Sequence, residues 1–306
     1  MDQIAKTLLQ EVTGLSEVPE NIAFNIRENS QCADRNSTEA IQIVNKEDGS
    51  GIDIIVAPGT VNDKVYIPAL VTCSGVHDLV YNDFYIGEGA DVTIIAGCGV
   101  STDGCDGSEH NGIHRFYLEK DSKVLYLEKH IGFGEGTGER VINPETYMEL
   151  NEGATMTMDT TQIKGVDSTK RVSRAILGDN ASLVIKEKLM THDDQYAETA
   201  FEVDLDGIGS NCTLSSRSVA SGRSKQLFLS KINGNNQCAG HSECDAIIMD
   251  EGIVSAIPEI TANHLDAALI HEAAIGKIAG DQIIKLMTLG LTEQEAEDKI
   301  IEGFLK

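Results

Sequence analysis

The chain has 306 residues, 41% of them hydrophobic, with 29 Gly, 5 Pro and no Trp. That is enough apolar material for one large domain or two small ones, and its Gly-rich, aromatic-poor texture points to a repetitive all-β body rather than an α/β enzyme. A net charge of −25 argues against nucleic acid or an anionic membrane surface as partner, and no run approaches the roughly 18 apolar residues of a spanning helix.

In chain order, residues 2–12 are predicted to form an amphipathic helix with Ile4, Leu8 and Leu9 on one face. This acidic start is unlike a signal peptide, so a cytoplasmic protein is expected, and its seven Cys read as thiols, metal ligands or core residues rather than disulfides. Residues 17–40 are polar and read as a linker or irregular arm, so that 1–40 forms an N-terminal segment.

From Ile41 short apolar or alternating runs follow one another between Gly, Asp and Asn turns. A repeat lies within them: Ile86-Gly-Glu-Gly-Ala90, Leu118-Glu-Lys-Asp-Ser122, Leu150-Asn-Glu-Gly-Ala154 and Leu177-Gly-Asp-Asn-Ala181, each followed by alternation. The small residues at 90, 122, 154 and 181 are spaced by 32, 32 and 27, a period that marks a solenoid. No helical pattern of about 10–15 residues separates the strands, so βαβ units are not expected. The expected fold is an all-β, right-handed parallel β-helix over 41–280, two to three short strands per coil, with a β-sandwich as the alternative. After Gly280 the pattern turns helical. Asp281 opens one helix that stops at Gly290, and the capping box Thr292-Glu-Gln-Glu295 opens another with Ala296, Ile300, Ile301 and Phe304 on one face. This tail, 281–306, is expected to cap the solenoid or to dock a partner.

Ligand-bearing residues concentrate near the C-terminus. Cys238-x2-His241-x2-Cys244 has the spacing of thiolate and imidazole ligands for zinc, iron or iron–sulfur clusters, although no second pair completes a structural zinc site. His271-Glu272 follows on an apparent strand, where neighbouring side chains face opposite ways. Cys98, Cys105, His110 and His114 form a second candidate set, whose other reading is a long turn between coils. His192-Asp193-Asp194 suggests the acid pair of a polysaccharide-cleaving β-helix, but no second acidic cluster matches it. Gly207-Ile-Gly-Ser-Asn lacks the Gly-Lys-Ser/Thr ending of a phosphate loop, so no ATP site is expected on this chain, and Gly132-Phe-Gly-Glu-Gly opens no helix for a dinucleotide.

Ser242-Glu243-Cys244-Asp245, His271-Glu272-Ala273 and Gly280-Asp281-Gln282 leading into Thr288-Leu-Gly-Leu resemble, in order and spacing, the C-terminal core of the SufB/SufD family of iron–sulfur cluster assembly scaffolds. The likeness runs from about residue 70 to the end. It implies a β-helix core and a transient iron–sulfur cluster assembled at the position of Cys244, with Glu272 on the assembly path and His271 at a subunit contact. Cys238 and His241 have only spacing in their favour. It implies as partners a SufC-type ATPase on the C-terminal helices, a second copy or a SufD-like paralogue, a sulfur donor and apo iron–sulfur proteins. The chain is shorter than typical SufB, lacking much of the N-terminal region, and looks like the compact scaffold of a minimal SUF system. Cys244 and Glu272 favour a SufB-like role. A SufD-like structural subunit without its own cluster and a carbohydrate-active β-helix are the alternatives.

Overall fold

The computed structural model of the chain describes residues 3–15, 19 and 21–306. It begins with α1 (Gln3–Thr13), β1 (Ala23–Glu28), β2 (Gln31–Asn36), β3 (Ile41–Asn45), β4 (Gly51–Val56), β5 (Val61–Val71), β6 (His77–Ile86), β7 (Asp91–Ser101), β8 (Ser108–Leu118), β9 (Lys123–Phe133), β10 (Arg140–Ile142) and β11 (Glu145–Leu150). It continues through β12 (Thr155–Lys164), β13 (Ser168–Leu177), β14 (Ser182–Thr191), β15 (Tyr196–Leu205), β16 (Asn211–Ala220), β17 (Lys225–Gly234), β18 (Ala239–Ile248), β19 (Ile253–Ala262) and β20 (Ala268–Gly276), and ends in α2 (Gly280–Met287) and α3 (Glu293–Phe304).

The strands form two ten-stranded sheets. Sheet A runs β2-β1-β5-β7-β9-β12-β14-β16-β18-β20; sheet B runs β19-β17-β15-β13-β10-β8-β6-β4-β3, with β11 between β8 and β13. From β5 onward every pairing is parallel and the chain alternates between the sheets, giving one strand of about ten residues to each sheet per coil, except where β10 and β11 together supply the sheet B strand. This is a solenoid of stacked parallel coils, as the repeat predicts, with longer strands than the two or three short ones expected per coil. Register follows the sequence period: Asp91 pairs with Lys123, Lys123 with Thr155, and Thr155 with Ser182.

The small residues of the repeat are fully buried, and each sits at the same turn. Ala90 N donates to Gly87 O, Ser122 N to Glu119 O, Ala154 N to Asn151 O and Ala181 N to Gly178 O. The residue before each is left-handed: Gly89 at φ +65°, Asp121 at +57°, Gly153 at +69° and Asn180 at +55°. Only Gly, Asn or Asp adopts that conformation cheaply, which is why the sequence repeats Gly/Asp/Asn before a small residue. Alternate side chains then fill the lumen with Phe84, Phe116, Tyr126, Met158, Ile185 and Leu214, among others, as one continuous core.

Residues 23–36, which the composition casts as an irregular arm, are instead the hairpin β1–β2, added to sheet A by parallel pairing of β1 with β5. Ala23, Phe24 and Ile26 are buried, so a short apolar strand hides in a polar stretch. The polar β2 is an edge strand, where charge is favourable because it discourages further pairing. Helix α1 buries Ala5, Leu8, Leu9 and Val12 against Phe24, Tyr66, Leu70 and Ile131 on the outside of sheet A. Removing Leu8 and Leu9 from water contributes roughly 2 kcal/mol each.

At the other end β19 and β20 are the last strands of their sheets, and Ile253, Ile257, Ile260 and Ile270 are exposed there. The tail carries the capping box as read: Thr292 Oγ1 accepts from Glu295 N, and Thr292 N donates to Glu295 Oε2. Ala296 is fully buried, while Ile284, Met287 and Leu289 of the tail lie open to solvent. Among the described residues no helix is long and apolar enough to cross a membrane.

Candidate functional site

Strand alternation divides the predicted ligands between two faces. On β18, Gly240, Ser242, Cys244 and Ala246 point inward, while His241, Glu243 and Asp245 point outward. On β20, His271 pairs with Ser242 and Glu272 with Glu243. His271 therefore lies on the inner side and Glu272 on the outer, as the strand reading requires. Cys238 also faces inward and is buried, but it is six residues from Cys244, about 20 Å along an extended chain. The spacing Cys238-x2-His241-x2-Cys244 thus builds no single site in one chain: its cysteines are far apart and its histidine is on the other side of the sheet.

Cys244 and His271 do come near one another. They share the inner face of adjacent strands, one strand over and two residues apart, a Cα diagonal of about 8 Å. His271 Nδ1 is buried with no hydrogen-bond partner among the described residues. On the outer face His241 Nε2 lies 3.6 Å from Glu272 Oε2, and Glu243 stands beside Glu272 in register. Burial, then the neighbouring Glu243 carboxylate, which accepts a hydrogen bond from the protonated form and repels the charged one, raise the Asp245 carboxyl above its ordinary value. Among the described residues no three His, Cys, Asp or Glu side chains are gathered as a metal-holding group.

Cys244 closes a polar row that sequence reasoning missed. Successive coils of sheet A place Glu128, Thr160, Glu187, Ser216 and Cys244 side by side down the lumen. Across the lumen Arg171, from β13, reaches this row: its Nη1 donates to Glu128 Oε2 at 2.6 Å, its Nη2 to His130 Nδ1 at 3.2 Å, and its Nε lies 3.8 Å from Glu187 Oε1. Thr199 and Ser216 hydroxyls donate to the two Glu187 oxygens at 2.8 and 2.7 Å. Glu128, Arg171 and Glu187 are all buried. Isolated charges at such depth are costly unless paired and hydrogen-bonded, as these are. Burial pushes the Glu128 carboxyl up, but Arg171 and His130 outweigh it and hold the group well below its usual range. Cys244 is only 1% exposed; burial, then the Glu187 and Asp245 charges, push its thiol up to about 12. It is a protonated thiol in the free chain, so binding a metal there releases a proton.

The second predicted set does not assemble. Cys98 is buried in sheet A, Cys105 is exposed in the loop after β7, and His110 and His114 face the lumen from β8. His110 Nδ1 donates to Asp78 Oδ2 at 2.9 Å, and His114 Nδ1 donates to Tyr126 Oη at 2.8 Å. His192, Asp193 and Asp194 line a surface cavity of about 760 Å³. There His192 pairs with Asp193 at 2.7 Å and Asp194 with Arg223 at 2.6 Å.

Residues 81–304 match the family model described as the SUF system FeS cluster assembly, SufBD core domain. The chain is similar to an iron–sulfur cluster assembly SufBD family protein of Archaeoglobus fulgidus, 29% identical over 89% of this chain and 72% of that one. It is likewise similar to one of Methanocaldococcus jannaschii, 25% identical over 97% of this chain and 96% of that one. A Methanothermobacter thermautotrophicus relative is 29% identical over 71% of this chain. This chain spans about half of the Methanothermobacter protein, 53% of its length. With a family model covering most of its coils and its polar row, the chain belongs to the SufBD family of iron–sulfur cluster assembly proteins.

Proposed function

We propose that this chain is a non-enzymatic scaffold in a SUF system, on which an iron–sulfur cluster is assembled as transient cargo. Cys244 serves as cluster ligand or sulfur acceptor, and His271 and Glu272 complete the site. The observation that carries this is the placement of Cys244 one strand below the open end of the solenoid, with His271, whose Nδ1 has no hydrogen-bond partner among the described residues, on the next strand and the same face. The thiol is beneath the last coil, so loading requires the β19–β20 coil to shift. Cys238 and His241 stand outside this inner pair and have at most a secondary part. Anaerobic reconstitution with iron and sulfide, followed by absorption and Mössbauer spectroscopy, tests the reading. Cys244→Ala is expected to abolish the cluster with the fold intact, and Cys238→Ala to do less. Full cluster retention in Cys244→Ala defeats the assignment.

ATP chemistry comes from a SufC-type ATPase docked on α2 and α3, supported by the exposed Ile284, Met287 and Leu289 and by the half-buried apolar stripe Ile300, Ile301 and Phe304 of α3. Removal of residues 292–306 is expected to end co-purification with that ATPase and to leave the solenoid folded; binding of unchanged affinity refutes this. The scaffold pairs with a second copy, or with a SufD-like paralogue, through the unpaired edges of β19 and β20, whose isoleucines are exposed. A two-fold contact then uses one patch twice and brings Cys244 of one protomer toward the partner's His271. Light scattering showing a stable monomer counts against it. The burial of Cys244 favours, as a second reading, a SufD-like subunit that carries no cluster. A cytoplasmic protein serving a sulfur donor and apo iron–sulfur proteins fits either.

A further inference from the structure

At the opposite mouth of the solenoid, seven strands from Cys244 across sheet A and so about 34 Å away, a cavity of about 270 Å³ lies between the hairpin β1–β2 and the turn after β3. Three cations line it in a chain that carries 49 acidic residues and 24 basic ones. Arg27 is occupied by Asp78 at 2.6 Å and Lys46 by Asp83 at 2.7 Å. Arg35 differs. Its guanidinium has no carboxylate partner among the described residues; Nε donates to Asn25 Oδ1 at 2.8 Å and Nη1 to Asn45 Oδ1 at 2.7 Å. Both Nη2 hydrogens remain available for an anion. The Cys32 thiol donates to the same Asn25 oxygen at 3.4 Å and so sits beside this guanidinium.

Asn82, 7% exposed, also lines the cavity. Its amide orientation is fixed by a chain of hydrogen bonds. Tyr126 Oη donates to Glu128 Oε1 at 2.8 Å, so it must accept from His114 Nδ1–H. His114 Nε2 is then a lone pair, and it accepts from Asn82 Nδ2 at 3.2 Å. The remaining atom, Asn82 Oδ1, is buried and has no donor among the described residues. A buried acceptor of this kind calls for a donor from water or ligand. The cavity is thus lined by a guanidinium with unused N–H donors, by Asn82 with its unfilled acceptor, and by the acceptor Glu47.

We propose that this cavity binds a small protonated oxyanion, hydrogen phosphate or bicarbonate, with its charged oxygens on Arg35 and its O–H donated to Asn82 Oδ1. The donor is the discriminating feature. Sulfate matches phosphate in shape and nitrate matches bicarbonate, but neither carries a hydrogen, and each leaves Asn82 Oδ1 unfilled and faces Glu47 without an O–H. A missing hydrogen bond to a buried group weakens binding about 10- to 100-fold.

The test is calorimetric titration of the whole chain with phosphate, bicarbonate, sulfate and nitrate, paired with iodoacetamide labelling of Cys32 read by peptide mass spectrometry. Phosphate or bicarbonate is expected to bind saturably and to slow Cys32 labelling several-fold over the same concentration range. The arm that saturates identifies which oxyanion the site takes. Sulfate and nitrate are expected to leave the rate nearly unchanged over that range. Arg35→Gln, on the exposed hairpin, should remove both effects with the circular dichroism spectrum intact, and Arg35→Lys should restore part of the binding. Asn82→Leu should narrow the gap between the protonated and unprotonated anions. Sulfate binding as tightly as phosphate overturns the proposal, and so does the failure of all four anions to bind.

Discussion

Arg171→Met is the sharpest perturbation of the lumen. The methionine roughly keeps the volume of the arginine stem and removes the cation that lies between Glu128 and Glu187. Removing one partner of a buried ion pair costs about 3–5 kcal/mol, because the surviving charge is stranded. Two carboxylates are stranded here, although Thr199 and Ser216 still serve Glu187, so a loss near about 4 kcal/mol is expected at pH 7. With a urea slope of about 3 kcal/mol/M, the midpoint followed by circular dichroism falls by more than about 1 M. The pH dependence separates this cause from lost packing. In the native chain Glu128 is held well below its ordinary value near 4.5. Its contribution is therefore present above that value and is lost only as pH falls through the depressed one. In the variant burial prevails and the carboxyl is raised. That sign is opposite: stability is full below the unfolded value and is lost as pH rises. The gap between the two proteins is widest near pH 7 and narrows toward pH 5. A gap that stays constant over that window, or a loss below about 1 kcal/mol, refutes an ionic role for Arg171. Replacing all three charges with apolar groups of similar size is expected to recover most of the stability.

Two further perturbations follow from the same packing. Gly97 lies at φ +148°, and a Cβ there would meet Lys129 O at 2.2 Å and Val12 Cγ1 at 2.8 Å. Gly97→Ala is therefore expected to detach α1 and lower the thermal midpoint by several degrees; an unchanged midpoint and unchanged protease resistance of residues 3–13 defeat this. Thiol labelling of the native chain at pH 7 is expected to mark the exposed Cys32, Cys73 and Cys105 quickly and Cys244 far more slowly, since Cys244 is both buried and protonated. Equal rates would mean that the last coil stays open in solution.

The coils were legible because their signals are local. The turn needs a left-handed residue followed by a small buried one, and Gly89-Ala90, Asp121-Ser122, Gly153-Ala154 and Asn180-Ala181 write that requirement directly into the chain. The hairpin β1–β2 was not legible, because its polar text suits an edge strand as well as a loop. The lumen charges were readable in part. Glu128 alternates with Tyr126 and His130, and Glu187 with Ile185 and Leu189, so period two alone places both carboxylates inside with the apolar residues. What pattern could not provide is the partner. Arg171 reaches Glu128 from the opposite sheet, 43 residues away in sequence.

The ligand set shows the same division between what spacing and what geometry decide. Cys238, His241 and Cys244 have the intervals of a metal motif, yet those intervals describe a compact site only in a turn or helix. Laid along β18 they become one distant cysteine, one histidine on the far side of the sheet, and one cysteine in the lumen. The donor that stands near Cys244 is instead one coil away in sequence: His271, brought beside Ser242 by the parallel register. A solenoid gathers residues at the period of its coil rather than at motif spacing, and among the described residues this coil boundary brings near Cys244 one further imidazole donor, His271. On the scaffold reading proposed above, a cluster needing more thiolate or imidazole ligands would take them from its own sulfide, from a sulfur donor, or from a second chain meeting this end of the solenoid. That is why the exposed isoleucines of β19 and β20 and the chemistry of Cys244 are expected to stand or fall together when the terminal coil is altered.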